Sequence, residues 1–398
     1  MSQFQGALSG LRVLDLSRVL AGPFCTQMMA DMGAEIIKIE QPGKGDDSRA
    51  SNPFKNGESS YFMNLNRNKR GVTLNLKGKG KDIFIEMVKR ADIVVENYRP
   101  GTMEKLGLGY EELKKINPRI IYGAVSGFGH YGPYSQMPGY DIIAQAMGGL
   151  MSVTGWPGGE PTRAGTAVGD VLGGLSVCIG ILAAVHSRSQ TGMGQKVDVA
   201  LVDSVVASLE IILQIYLCTG RIPERIGNRY ESNYPYASFK TGDGDCVIGC
   251  GNDKLYQILC DVMGKPELKT DARFVTAAER VKNYKELEPL VLAWTTSLPT
   301  DDVVKQLLDA GCPAAPINTF DRLVKDPHIA GAREMFVEVD HPKAGKMKIL
   351  GSHIKMSGTN PEIRTPAPLL GQHNEEVYGE MLGLTKEQIE AFRQEGVM

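Results

Sequence analysis

The chain has 398 residues, with 44 Lys and Arg against 46 Asp and Glu, and a formal net charge of −2 at pH 7. That balance excludes the basic domain a nucleic-acid partner demands. Its 42% hydrophobic and 23% charged residues exclude a disordered chain, and at about 150 residues per domain the length predicts two or three domains.

Met1–Leu8 carries no basic start followed by an apolar run, so no secretory signal is expected. Leu11–Leu16 reads as a short apolar strand, and Ala21–Met32 as a helix that tolerates Pro23 in its first turn. Ala34–Glu40 is a second strand, 46–61 a polar loop, and Gly71–Leu76 strand-like. Gly80–Ala91 is helical with Ile83, Met87 and Val88 on one face; Ile93–Glu96 and Arg119–Val125 are strands. Strands spaced by helices predict βαβ units, a parallel sheet and an α/β fold class.

From Gly139 to Tyr216 the pattern is helical, broken by Gly192-Met-Gly194 and a strand-like Gln195–Val199. Its uncharged core, Val171–Val185, is shorter than the roughly 18 residues of a membrane span and reads as a buried helix, so no membrane partner is expected. A long helix over about 200–217 follows. Phe239–Gly251 reads as a hairpin turning at Gly242-Asp-Gly244, then helices over about 253–263, 278–297 and 300–310 mark a smaller domain. Beyond Pro327 the chain is Pro- and Gly-rich and extended, with a last helix at about 386–394.

Gly127-Phe-Gly129-His-Tyr-Gly132 fits the dinucleotide fingerprint and follows a strand, but Pro133 and Pro138 deny it the helix whose amides hold a pyrophosphate. There is no P-loop and no nucleophile elbow. The six histidines never pair at metal spacing, and Cys246 and Cys250, on one strand face, complete no zinc set, so no metal is expected. The seven cysteines (25, 178, 218, 246, 250, 260 and 312) are odd in number and scattered, which reads as reduced thiols in a cytoplasmic protein.

What remains is a carboxylate in glycine-rich surroundings, Gly165-Thr-Ala-Val-Gly-Asp170-Val-Leu-Gly-Gly174. Asp170 at the start of an apolar helix reads either as an N-cap or as a nucleophile that small neighbours leave open to substrate.

A series of blocks carries a resemblance. Leu11–Leu16 with Ala21-Gly-Pro23, Gly33–Glu40 with Gly45-Asp46, Asn68–Lys77 and Ala91–Asn97 with Pro100-Gly101 come first. Val125–Gly129, Gly139-Tyr-Asp141, Thr191–Ala200, Asp326-Pro-His328 and Ala367–His373 follow in order. In this the chain resembles the class III CoA-transferases, among them the formyl-CoA:oxalate and carnitine CoA-transferases. Two features depart from the formyl-CoA member: Gln41 stands at an arginine position, and its tetraglycine loop is not visible.

The resemblance implies a large Rossmann-like parallel-sheet domain (1–199), a helical linker (200–230), a smaller α/β domain (231–326) and a linker with a C-terminal return to the large domain (327–398). It implies an interlocked homodimer with long linkers. It implies CoA transfer from an acyl-CoA to a small carboxylic acid, with succinyl-CoA the favoured donor. Asp170 would pass through a mixed anhydride and an aspartyl-CoA thioester, with no cofactor beyond the coenzyme A of the substrate. Leu20 and Ala21 would line the adenine end, followed by Leu74 and Lys77. Asn97, Arg99 and Lys105 would lie near the phosphates, and Tyr140 beside the thioester. The alternatives are an α-methylacyl-CoA racemase-type isomerase and a non-catalytic CoA-binding protein. The racemase branch uses a Gly-His-Asp histidine as a base, where this chain has Gly139-Tyr140-Asp141; phenols titrate near about 10 and imidazoles near about 6.5.

Overall fold

The computed structural model describes residues 5–398; of the N-terminal reading over Met1–Leu8, residues 1–4 lie outside the described residues. The chain divides into two compact units. One runs to Leu150 and then over Ala164–Ser208 and Asp326–Met398; the other comprises Met151–Arg163 and Leu209–Lys325.

The first unit is laid down in chain order as β1 (Arg12–Asp15), α1 (Ala21–Asp31), β2 (Glu35–Glu40), α2 (Ser60–Leu65), β3 (Lys69–Thr73), α3 (Lys79–Val88) and β4 (Ile93–Glu96). Then come α4 (Thr102–Lys105), α5 (Tyr110–Ile116), β5 (Ile121–Ser126), α6 (Asp141–Met147), α7 (Val168–Thr191), β6 (Lys196–Ala200) and α8 (Leu201–Ala207). The six strands are all parallel, in the order β3-β2-β1-β4-β5-β6. This is the doubly wound order, which starts mid-sheet, runs to one edge, and returns to build the other. Helices cover both faces, so central strands read as unbroken apolar runs; all four residues of β4 are buried. Neighbouring strand residues feed opposite cores. Leu14, Ile37 and Val94 pack with Phe84, whereas Val13, Ile36, Ile93 and Val95 pack with Val177.

Helix α7 ends at the Gly192 break read from the sequence, but it is longer than the apolar run on which the membrane argument rested. It spans 24 residues, beyond the apolar run that ended at Val185, and by length and composition it could cross a membrane. It buries Gly169, Gly173, Gly174, Val177, Cys178, Ile181 and Ala184 at helical spacing and packs on α1 and β5. Gly174 makes the α1 approach possible: a Cβ there would lie 2.6 Å from the Ala21 carbonyl oxygen.

The single helix expected over 200–217 is two. Ser208 turns its hydroxyl back on the Val205 carbonyl at 2.6 Å, where α8 ends. The second unit then holds α9 (Glu210–Thr219), β7 (Tyr236–Lys240), β8 (Asp245–Gly249), α10 (Asp253–Val262), α11 (Ala277–Lys282), α12 (Tyr284–Thr295), α13 (Thr300–Asp309) and β9 (Ala314–Pro316). Its antiparallel sheet, ordered β9-β8-β7, includes the hairpin read from the sequence, and its own core contains Phe239, Ile248, Leu259, Leu287 and Val303. The helix expected over 278–297 breaks at Asn283, whose amide donates to the Arg273 carbonyl at 3.0 Å.

Residues from Asp326 rejoin the first unit. The stretch expected to be extended contains a hairpin, β10 (Phe336–His341) and β11 (Gly345–Leu350), followed by α14 (Asn374–Leu382) and α15 (Lys386–Gln394). Asn68 fastens this return by accepting from the Arg364 and Thr365 amides and donating to the Glu362 carbonyl.

Candidate active site

In a doubly wound sheet the crevice opens at the carboxyl ends of the strands where the winding reverses. Here the reversal lies between β1 and β4. A cavity of about 250 Å³ sits there, lined by Arg18–Ala21 after β1, Asn97–Pro100 after β4, Val125–Gly127 at the end of β5, Met137–Tyr140, Asp47, Asp170 and Leu201.

The loop after β1 is held from three sides. Asn97 accepts from the Arg18 amide at 2.8 Å and donates to its carbonyl at 2.7 Å. Val19 sits at φ +66°, a costly backbone state for a β-branched residue. Its amide donates to Asp46 at 3.1 Å, and Asp46 pairs with buried Lys38 at 2.8 Å. Burial alone would raise the Asp46 carboxyl, but Lys38 holds it well below the usual carboxylate range. Beneath the loop, Lys69 reaches buried Asp15 at 3.0 Å, and burial lowers the Lys69 ammonium to about 8. The loop after β5 is pinned by a glycine pair: a Cβ on Gly127 would stand 2.6 Å from the Gly139 Cα.

Asp170 is the third residue of α7, and Ala167 is the cap. The N-cap reading therefore fails. It is Asp141, at the start of α6, that accepts from the Gly169 amide at 2.8 Å and the Asp170 amide at 3.4 Å, while Gln145 donates to its other oxygen at 2.6 Å. Among the described residues, no donor lies within hydrogen-bond distance of the Asp170 carboxylate. Burial first, and the Asp141 charge second, push its carboxyl up to about 7. Tyr61 on α2 feels the same charges: burial, then Asp170, Asp46 and Asp141, raise its phenol to about 12.

Six of the nine residues singled out from sequence line the cavity: Leu20, Ala21, Asn97, Arg99, Tyr140 and Asp170. Three do not. Leu74 is 2% exposed and packs in the core on the α3 side of the sheet, because it directly continues β3. Lys77 and Lys105 are exposed and absent from the lining. Sequence reasoning missed Arg18, which pairs with Asp47 at 3.0 Å and stands over the Tyr98 ring, along with Asp141 and Tyr61. Asp141 lay inside the quoted Gly139-Tyr-Asp141 block, which was its only signal.

A model of CoA-transferase family III matches residues 8–374. The chain belongs to CoA-transferase family III. It is 43% identical over 386 residues to the succinyl-CoA:mesaconate CoA-transferase of Haloarcula marismortui, covering 94% of this chain and 96% of that protein. It is 43% identical over 371 residues to the acetyl-CoA:oxalate CoA-transferase of Acetobacter aceti, covering 92% and 94%. The crystal structure of a CAIB/BAIF family protein from Brucella suis superposes with a TM-score of 0.84 at 37% identity, covering 95% of this chain and 100% of that one. In this family III CoA-transferase the unpaired carboxylate of Asp170 lines the cavity of about 250 Å³ at the ends of the strands.

Proposed function

We propose that this CoA-transferase moves CoA from succinyl-CoA to a small carboxylic acid through covalent intermediates on Asp170. The observation that carries the reading is the Asp170 carboxylate: at the cavity, without a donor, and beside small residues. Its oxygen attacks the thioester carbon, the C–S bond breaks, and CoA leaves as a thiolate with a mixed anhydride in place. The thiolate attacks the aspartyl carbonyl, releases the first acid, and forms an aspartyl-CoA thioester. The acceptor carboxylate attacks that carbonyl, and the freed thiolate then takes the new acyl group, which restores the carboxylate. No net proton or electron is consumed, so the cycle calls for no cofactor beyond the coenzyme A of the substrate. Succinyl-CoA is favoured because several relatives carry it in their names, in the Chloroflexus and Mus proteins as in Haloarcula.

Arg18 and Arg99 would meet the phosphates, with Leu20, Ala21 and Asn97 along the nucleotide and Tyr140 by the thioester. Lys77 and Lys105 would serve only the outer end. We place the enzyme in the cytoplasm as an interlocked homodimer. The seven free cysteines fit a reducing compartment. Helix α9 is apolar and buries no residue, and Ile179 on α7 is 67% exposed, surfaces that a second copy would cover.

The test traps the intermediate. Incubation with succinyl-CoA and hydroxylamine should convert Asp170, and no other residue, to a hydroxamate found by peptide mass spectrometry, and Asp170→Asn should abolish transfer. Transfer retained in Asp170→Asn, or a label elsewhere, overturns the mechanism.

A further inference from the structure

Behind the cavity wall lies a second titratable cluster that the transfer chemistry leaves unused. Glu96, the last residue of β4, is 1% exposed. One of its oxygens accepts from the Tyr98 amide at 2.7 Å and the other from the Tyr122 hydroxyl at 3.2 Å. His130, in the loop after β5, presents its Nε2 to that second oxygen at 3.5 Å, and its side chain is 7% exposed. This buried Nε2 has no hydrogen-bond partner. The ring is aimed by β6: Lys196 Nζ stands 2.9 Å from Nδ1, and the His130 amide donates to both oxygens of Asp198 at 3.2 and 3.0 Å. A lysine donating to Nδ1 fixes the tautomer with its hydrogen on Nε2, and the Glu96 oxygen 3.5 Å away faces that nitrogen as an electrostatic contact, outside hydrogen-bond geometry.

The two segments joined here are the two that face each other across the cavity. Glu96 sets the turn carrying Asn97, Tyr98 and Arg99, and the same loop as His130 carries Gly127 and Tyr140. A second tie runs parallel, since Arg99 donates to the Gln136 carbonyl. We infer that His130 is a positioning residue for the acyl-CoA cavity, one that locks the turn after β4 to the loop after β5 through Glu96. This rests on the reading of that cavity as the acyl-CoA site.

The link has a defined pH sense. The groups facing it are Tyr98 after β4, Glu104 on α4, Tyr122 on β5, and Lys196 and Asp198 on β6. Burial raises the Glu96 carboxyl to about 7, whereas burial and then Lys196 keep the His130 ring below its ordinary value. The His130 ring therefore faces a carboxylate above about pH 7 and a neutral acid below it, so the electrostatic contact, and with it the lock, weakens as pH falls.

The experiment measures free CoA binding by calorimetry in an Asp170→Ala background, so that the nucleophile does not titrate. His130→Phe keeps a ring without a nitrogen and should weaken CoA binding about fivefold or more, and His130→Gln, which keeps an N–H, less than about twofold. Between pH 8 and pH 6 the His130 protein should lose more affinity than His130→Phe does. Equal losses in the Phe and Gln variants, or no loss in His130→Phe, overturn the inference. Arg99→Ala serves as the control for the site itself. If it leaves CoA binding unchanged, the cavity reading fails, and if it weakens binding while His130→Phe does not, only the lock fails. Should His130→Phe not fold, a pH response in His130→Gln no different from that of the His130 protein supports the lock, and a pH-independent affinity in the His130 protein overturns it.

Discussion

Asp170 stands at a helix start yet draws little from it, because Asp141 already occupies the first amides. Attack needs the carboxylate, so activity should rise as pH passes upward through about 7. Asp141→Asn keeps an oxygen for the cap but removes the like charge, and should move that activity inflection to lower pH in a pH–rate profile. The same shift has a cost in stability. A carboxyl raised above its unfolded value of about 3.9 contributes fully below that value, and the contribution is lost as pH rises through about 7. Asp170→Asn should therefore be more stable than the parent at pH 8, by on the order of 1–2 kcal/mol after solvent screening, and indistinguishable at pH 4, as urea unfolding would report. Tyr140 stands where the racemase branch has its histidine, and 2-methylacyl-CoA in deuterium oxide should gain no α-deuterium by mass spectrometry. Asp170 could be singled out because its glycine-rich stretch lies among blocks that resemble one family. Arg18 was passed over although it precedes Leu20 in the same loop, Tyr61 was hidden in a segment read only as polar loop, and Leu74 misled because the continuation of β3 turns into the core.

Elements were legible where one physical signal dominates. The central strands announce themselves as short apolar runs between helices, and the structure places them within one or two residues of the sequence reading. The missed breaks lie at Ser208 and Asn283, where a side chain takes a backbone partner in place of the helical one. Periodicity cannot register such a local competition, because apolar spacing continues on either side. The end of α7 was legible for the converse reason: Gly192 closes the helix in a left-handed turn, at the break read from the sequence. At this scale Gly174→Ala is informative. The added methyl would strike the Ala21 carbonyl from 2.6 Å, so α7 and α1 must part. We expect a loss of about 1–3 kcal/mol in chemical denaturation and a marked fall in kcat, since both helices open onto the cavity.

At the scale of the molecule, each unit has its own core, and the chain passes between units four times, after Leu150, Arg163, Ser208 and Lys325. The excursion of 151–163 into the second unit was not legible, because thirteen residues are too few to carry a compositional signature. The exposed apolar face of α9 predicts self-association: sedimentation equilibrium at micromolar concentration should find a dimer, and Leu217→Glu, at a position 62% exposed, should weaken it without lowering the thermal midpoint. The order of the segments also governs biogenesis. All six strands of the parallel sheet have left the ribosome soon after Ala200 is made, but the return that meets Asn68 and packs α14 on β3 emerges only after Lys325. For the whole synthesis of the second unit, the β3 edge is finished in sequence yet bare in space. A nascent chain paused there offers an unpaired strand to its neighbours on a polysome, so translation speed across 209–325 becomes a determinant of yield.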